Sequence, residues 1–93
     1  NAEGADASGA GTYGIFANHG STINANGVNA SGAGTYGILA TRSSTINAGS
    51  ADASGAGPYG IYVARGSLIN ADGATGTLNQ AKNTLTANGI IFQ

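Results

Sequence analysis

One stretch of this chain, ADASGAGTYGIFANHGSTINANG at residues 5–27, is written three times over. The second version, VNASGAGTYGILATRSSTINAGS, fills 28–50, and the third, ADASGAGPYGIYVARGSLINADG, fills 51–73. Tyr13, Tyr36 and Tyr59 are 23 residues apart, and so are Ile23, Ile46 and Ile69. A fixed period of this length, free of insertions, marks a solenoid in which each repeat is one coil stacked on the next. Stacking explains the strictness, because each residue of one coil must lie on its equivalent in the neighbouring coil.

The composition agrees with a thin stack. Ninety-three residues make a small domain, and small domains have little surface to bury. Without Cys there is no disulfide staple and no Cys-based metal site. The sequence also has no pattern that would hold a cofactor. Disorder would bring many charges along with so few large apolar residues. Here only seven residues are Asp, Glu, Lys or Arg, and Gly, Ala, Ser, Thr and Asn dominate. The formal net charge of -1 leaves no electrostatic footprint for nucleic acid or for an anionic membrane. No apolar run approaches the ~20 residues of a spanning helix, so membrane insertion is not expected. The chain begins at Asn1 rather than Met and reads as a piece of something longer.

Local chemistry excludes helices. Gly recurs every few residues, Asn and Ser compete for backbone partners, and no apolar residues follow the helical period. Alternation with period two does fit. Each repeat divides into a long extended segment (Thr12–Ala17, 35–40, 58–63), a second (21–25, 44–48, 67–71) and a weak third (5–7, 28–30, 51–53). Gly- and Asn-rich corners at 9–11, 18–20 and 26–27 separate them, both residue types tolerating positive φ. Three short strands per turn describe a rung of an all-β parallel β-helix. It has about 23 residues per coil, three full coils at 5–27, 28–50 and 51–73, and a lead-in at 1–4.

Stacking at ~4.8 Å turns equivalent residues into columns. Ile15/Ile38/Ile61, Ile23/Ile46/Ile69, Ala25/Ala48/Ala71 and Ala17/Ala40/Val63 are the expected inward columns. Tyr13/Tyr36/Tyr59 shares the parity of the inward Ile and is expected at the edge of the core. Asn24/Asn47/Asn70 is expected to form a structural amide ladder along the stack. The last unit, 74–93, is a shortened coil. Thr84–Gly89 matches Thr22–Gly27, Leu78–Asn83 stands where the Tyr-Gly-Ile strand should be, and seven residues are missing between Gly76 and Thr84. The apolar run Ile90-Ile91-Phe92 follows it, with Ile90 and Phe92 expected on one face to plug the lumen. Atypical terminal units of this kind cap solenoids.

Three columns have chemistry to consider. Asp6 and Asp52 share a position two coils apart, with Asn29 between them. Their backbones would lie ~9–10 Å apart, near the upper end of the carboxyl separation of inverting glycosidases. Asp and Asn are equally the residues of strand ends and turns, and that is the preferred reading. His19, Arg42 and Arg65 share a corner that could contact an anion such as a phosphate or an acidic sugar, or simply be solvated. Phe16, Leu39 and Tyr62 have the parity opposite to the inward Ile and should point outward. An outward apolar column marks a partner surface, either a subunit interface or a carbohydrate-stacking face. The Gly-Ala-Gly stretches look like phosphate loops but lack the Lys-Ser/Thr and the helix that such loops need.

The text Tyr13-Gly14-Ile15 and Gly20 to Ala25 with their equivalents, then Gly73-Ala74-Thr75-Gly76 and Asn83 to Gln93, resembles the distal part of phage tailspikes. It is particularly similar to the pre-neck appendage proteins of Bacillus phages and their prophage relatives, across nearly the whole chain. The resemblance implies a right-handed parallel β-helix in a homotrimer, mounted on the virion tail and contacting a host cell-surface glycan. Many members of that family bind or cleave polysaccharide through carboxylates. This chain lacks a matching carboxylate cluster, so the activity is not carried over. Some members also carry a C-terminal assembly domain that is cleaved off after trimerisation. Autotransporter passengers of the bacterial cell surface have similar Gly-Ile and Ser-Thr-Ile-Asn coils and are the competing resemblance.

Overall fold

The structure, a computed structural model, describes Gly9 and residues 11–93. The lead-in, the first weak segment and Asp6 therefore lie outside the described residues. Seven strands are present among the described ones: β1 (Tyr13–Ala17), β2 (Thr22–Asn24), β3 (Tyr36–Ala40), β4 (Thr45–Asn47), β5 (Tyr59–Val63), β6 (Ser67–Asn70) and β7 (Gly89–Phe92). They form two parallel sheets, β1-β3-β5 and β2-β4-β6-β7. Ile15 pairs with Ile38 and Ile38 with Ile61, while Ile23, Ile46 and Ile69 pair in turn. The weak third segment forms a narrower ladder, Asn29 to Asp52 to Thr75. The chain is a parallel β-helix with a period of 23 residues.

Inside, the expected columns are where the pattern puts them. Ile38, Ile61, Ile46, Ile69, Ala40, Val63, Ala25, Ala48 and Ala71 are all fully buried. Ile15 and Ile23, in the first described coil, are less completely covered. The third segment contributes two further inward columns, Val28/Ala51/Ala74 and Ala30/Ala53. Ser44 and Ser67 are buried too. The Ser44 hydroxyl accepts the Ser21 N–H at 3.2 Å, and the Ser67 hydroxyl accepts that of Ser44 at 3.1 Å. Burying a hydroxyl is costly unless it is bonded, and here it supplies one rung of the ladder between coils. The Asn column behaves differently from expectation. Asn24 and Asn70 accept from the backbone N–H two residues on rather than bonding along the stack. A short side chain reaches its own turn more readily than a partner in the next coil.

The last coil corrects two expectations. β7, not Thr84–Gly89, pairs with β6, in the register Ser67 to Gly89 and Ile69 to Ile91. The shortening lies earlier: Leu78 follows Thr75 by three positions, where Ile61 follows Asp52, their partners, by nine. Residues 79–90 then regain most of the lost length, so Ile91 follows Ile69 by 22. Ile91 is therefore the buried plug at 0% exposure, whereas Ile90 is half-buried and Phe92 is exposed at 43%. The frame of this coil is set by the residue that meets the Ile column, Ile91 on Ile69, and not by the likeness of Thr84–Gly89 to Thr22–Gly27.

Apart from Gly89 (φ 121), the first residue of β7, positive φ among the described residues falls outside the strands, at the corners. His19, Arg42 and Arg65 (φ 56, 57 and 54) are each followed by another left-handed residue, Gly20, Ser43 or Gly66. Ser43, at φ 63, and Ser50, at φ 58, each put a side chain in a position that their equivalents fill with Gly. Replacing Ser43 with Gly removes this strain but adds unfolded-state entropy, for a net gain of about 0.5 kcal/mol in urea unfolding. Gly37 has a different role, close approach. A Cβ there would lie 2.9 Å from the Ala30 carbonyl oxygen, the Ala53 Cβ and the Gly60 carbonyl oxygen. Gly37→Ala is expected to destabilise the fold by about 2 kcal/mol or more, seen as a lower urea midpoint.

Candidate functional site

The outward column of the long segments is part of a larger surface. Alternation breaks at Gly14, Gly37 and Gly60, whose missing side chains point at Ala30 and Ala53 in the core. Two successive positions, Gly and then Ile, thus face inward, and the preceding Tyr is released to the outside. Tyr13, Tyr36 and Tyr59 stack on one another, with ring centroids 5.7 and 6.4 Å apart. They also pack against the neighbouring column, Tyr13 on Phe16 at 5.1 Å, Tyr36 on Tyr62 at 4.4 Å and Tyr59 on Tyr62 at 5.6 Å. The expectation that the Tyr column shares the edge of the core is corrected. It lies on the outer face of β1-β3-β5.

Phe16, Leu39 and Tyr62 are register partners on that face. They are not equally available. Phe16 is 44% exposed and Tyr62 is half-buried, but Leu39 is buried at 6% while standing outside the core cluster. Leu39 is the centre of an outer apolar layer, flanked in register by two aromatic rings. The sequence showed this column but not its merger with the tyrosines, which depends on the glycine break. Burial, together with the neighbouring Tyr62, Tyr13 and Tyr59 hydroxyls, raises the Tyr36 pKa above 10.0.

The basic corner brings two of its three residues together. The Arg42 guanidinium donates to His19 Nε2 at 2.8 Å, with both side chains exposed. Arg65 continues the column through its backbone, its carbonyl accepting the Ser43 N–H at 3.1 Å. An anion there would meet guanidinium donors on the surface, outside any cleft.

Asp52 is a turn residue by its contacts. Its Oδ1 accepts from the Ser54 N–H at 3.0 Å, from the Ser54 hydroxyl at 2.6 Å and from the Thr75 hydroxyl at 3.1 Å. Asn29 accepts the first two bonds in the same way from Ser31, one coil earlier. Two residue types thus fill one structural position. The bonds from Ser54 and then Thr75 lower the Asp52 pKa below 3.8, the wrong direction for a proton donor at neutral pH. Among the described residues there is no surface pocket and no cluster of metal-ligating side chains.

The chain finds no match when compared with protein-family models, with curated proteins or with solved structures.

Asp52 also gives a pH signature. A depressed folded pKa contributes stability that is fully present above the unfolded value and lost as pH falls through the folded one. Asp52→Asn, which keeps the Asx turn as Asn29 does, is expected to flatten that loss below about pH 4. Thermal melts of both proteins between neutral pH and pH 2 check this. An unchanged acid slope would refute the assignment.

Proposed function

We propose that this chain is a structural, host-surface-contacting segment of a trimeric phage tail appendage, displayed on the virion tail and without catalysis of its own. The observation that supports this reading is the outer layer of Tyr13, Tyr36 and Tyr59 with Phe16, Leu39 and Tyr62. The solenoid core does not need these six side chains, and exposed apolar surface outside the core is surface left for a partner. A stack this shallow gains stability from any association that favours the folded state. Three copies meeting through this layer would shield Phe16, and the rings at its margin would remain available to a host glycan. The contacts of Asp52 give no support to polysaccharide cleavage.

Light scattering across a dilution series tests the reading. The expected mass is that of three chains, persisting on dilution. Phe16→Ser with Tyr62→Ser, which leaves every core residue in place, should reduce it to one. A folded single chain at all concentrations would overturn the trimer, and would favour a segment of a bacterial surface adhesin with the aromatic layer facing its ligand.

A further inference from the structure

All four tyrosines of the chain stand in one cluster, each half-buried. Tyr13 stacks on Tyr36 and Tyr36 on Tyr59, while Tyr62 reaches both Tyr36 and Tyr59 from the neighbouring column. The tightest of these contacts is not between register partners. Tyr36 lies opposite Tyr59 in the ladder and Tyr62 opposite Leu39, yet the rings of Tyr36 and Tyr62 meet at 4.4 Å with 30° between their planes. The register partners Tyr36 and Tyr59 are 6.4 Å apart. Aromatic pairs usually span ~4.5–7 Å, so Tyr36 and Tyr62 are at the short end. Burial raises the Tyr36 pKa above 10.0, and Tyr62 leads the phenols that add to the effect, so the two hydroxyl ends lie near one another. The ortho carbons flank the hydroxyl carbon and come together with it.

Composition directs oxidation to this cluster. The chain has no Cys or Met, which oxidise readily, and no Trp. Tyrosine is then the side chain that gives up one electron most easily, because the phenoxyl radical left after proton loss spreads over oxygen and ring carbons. A radical formed on one ring passes to its neighbours, since exchange between a phenol and a phenoxyl in contact changes little in energy. Its spin density is high at the ortho carbons, where two radicals join.

We propose that Tyr36 and Tyr62 are an oxidative cross-linking site, where a one-electron oxidant with a peroxide as final acceptor joins the two rings into dityrosine. Each phenol gives up one electron and its hydroxyl proton. The two phenoxyls form one carbon–carbon bond between ortho carbons, and the hydrogens of those carbons move to the oxygens. The chain loses two electrons and two protons in all, and the peroxide O–O bond takes up the electrons as it breaks. The new bond staples β3 of the second coil to β5 of the third, in a chain without cysteine. The inference rests on contacts within one chain and is separate from the reading of the same layer as a trimer face.

The test illuminates the full chain, at high dilution, with ruthenium tris-bipyridine and persulfate, whose peroxide bond is the acceptor. Expected are dityrosine fluorescence, an intact mass lower by two hydrogens, and a product that runs as a single chain under denaturing conditions. Trypsin cuts after Arg42, Arg65 and Lys82, which parts Tyr13 and Tyr36 from Tyr59 and Tyr62. Digestion should leave residues 1–42 joined to 43–65. Tyr36→Phe and Tyr62→Phe keep both rings in place and should each lose the joined peptide, whereas Tyr13→Phe and Tyr59→Phe should retain it. The cross-linked chain should melt about 10 °C higher, because the bond closes a loop of ~25 residues in the unfolded state. Unfolding in urea before illumination should lower the yield of the joined peptide several-fold. A joined peptide that survives in Tyr36→Phe or Tyr62→Phe would overturn the proposal, as would an equal yield in urea. Links confined within 1–42 or within 43–65, links only between separate chains, or no link at all would overturn it too.

Discussion

The structure depends on the parallel backbone ladder between coils. Each coil is too short to have a core of its own, so its strands are stable only when the coil above and below share their hydrogen bonds and close off the lumen. The ladder fixes the separation of coils, and that separation fixes which side chains fit. Inward positions carry one large residue per strand, Ile38 or Ile46, beside Ala40, Ala48 and Ala53, all fully buried. Buried Ser44 and Ser67 are tolerated because their hydroxyls join the same ladder.

The close approach at Gly37 and Gly60 links this core to the surface. Because the third segment presses Ala30 and Ala53 against the long strands, no side chain can occupy the second strand position. The backbone turns an extra residue inward, and the tyrosine before it leaves the core. Three such tyrosines, stacked by the ladder, meet Phe16 and Tyr62, the register partners of the buried Leu39. The aromatic layer is therefore a product of core packing. Its rigidity comes from the sheet beneath, and this makes it a better-defined contact surface than a loop would be.

The basic corner and the Asp52 turn show the same economy of means. His19, Arg42 and Arg65 occupy left-handed positions where Gly or Asn would be easier, so the corner tolerates strain in each coil. Asp52 and Asn29 make interchangeable Asx turns. In the last coil, the Asn79 side-chain amide exchanges two hydrogen bonds with the Val63 backbone, and the Asn83 amide does the same with Gln93, each acting as a substitute peptide. The same residue type thus turns a corner in one place and closes an edge in another.

The sequence by itself determined the period, the solenoid, the strand positions within each coil and the four main inward columns. These follow from periodicity and from which residues tolerate burial or positive φ, and both are local properties. It also separated Phe16, Leu39 and Tyr62 from the core by parity alone. Only the tertiary structure decided that the tyrosines lie outside, because the break in alternation arises from contact between Gly37 and residues of a different segment. The tertiary structure alone also decided the frame of the last coil. There the deletion before Leu78 and the insertion after it nearly cancel, and the Ile column had to choose Ile91 over its two apolar neighbours. Local text cannot carry that choice, since all three are apolar and only the place of Ile69 in the stack distinguishes them.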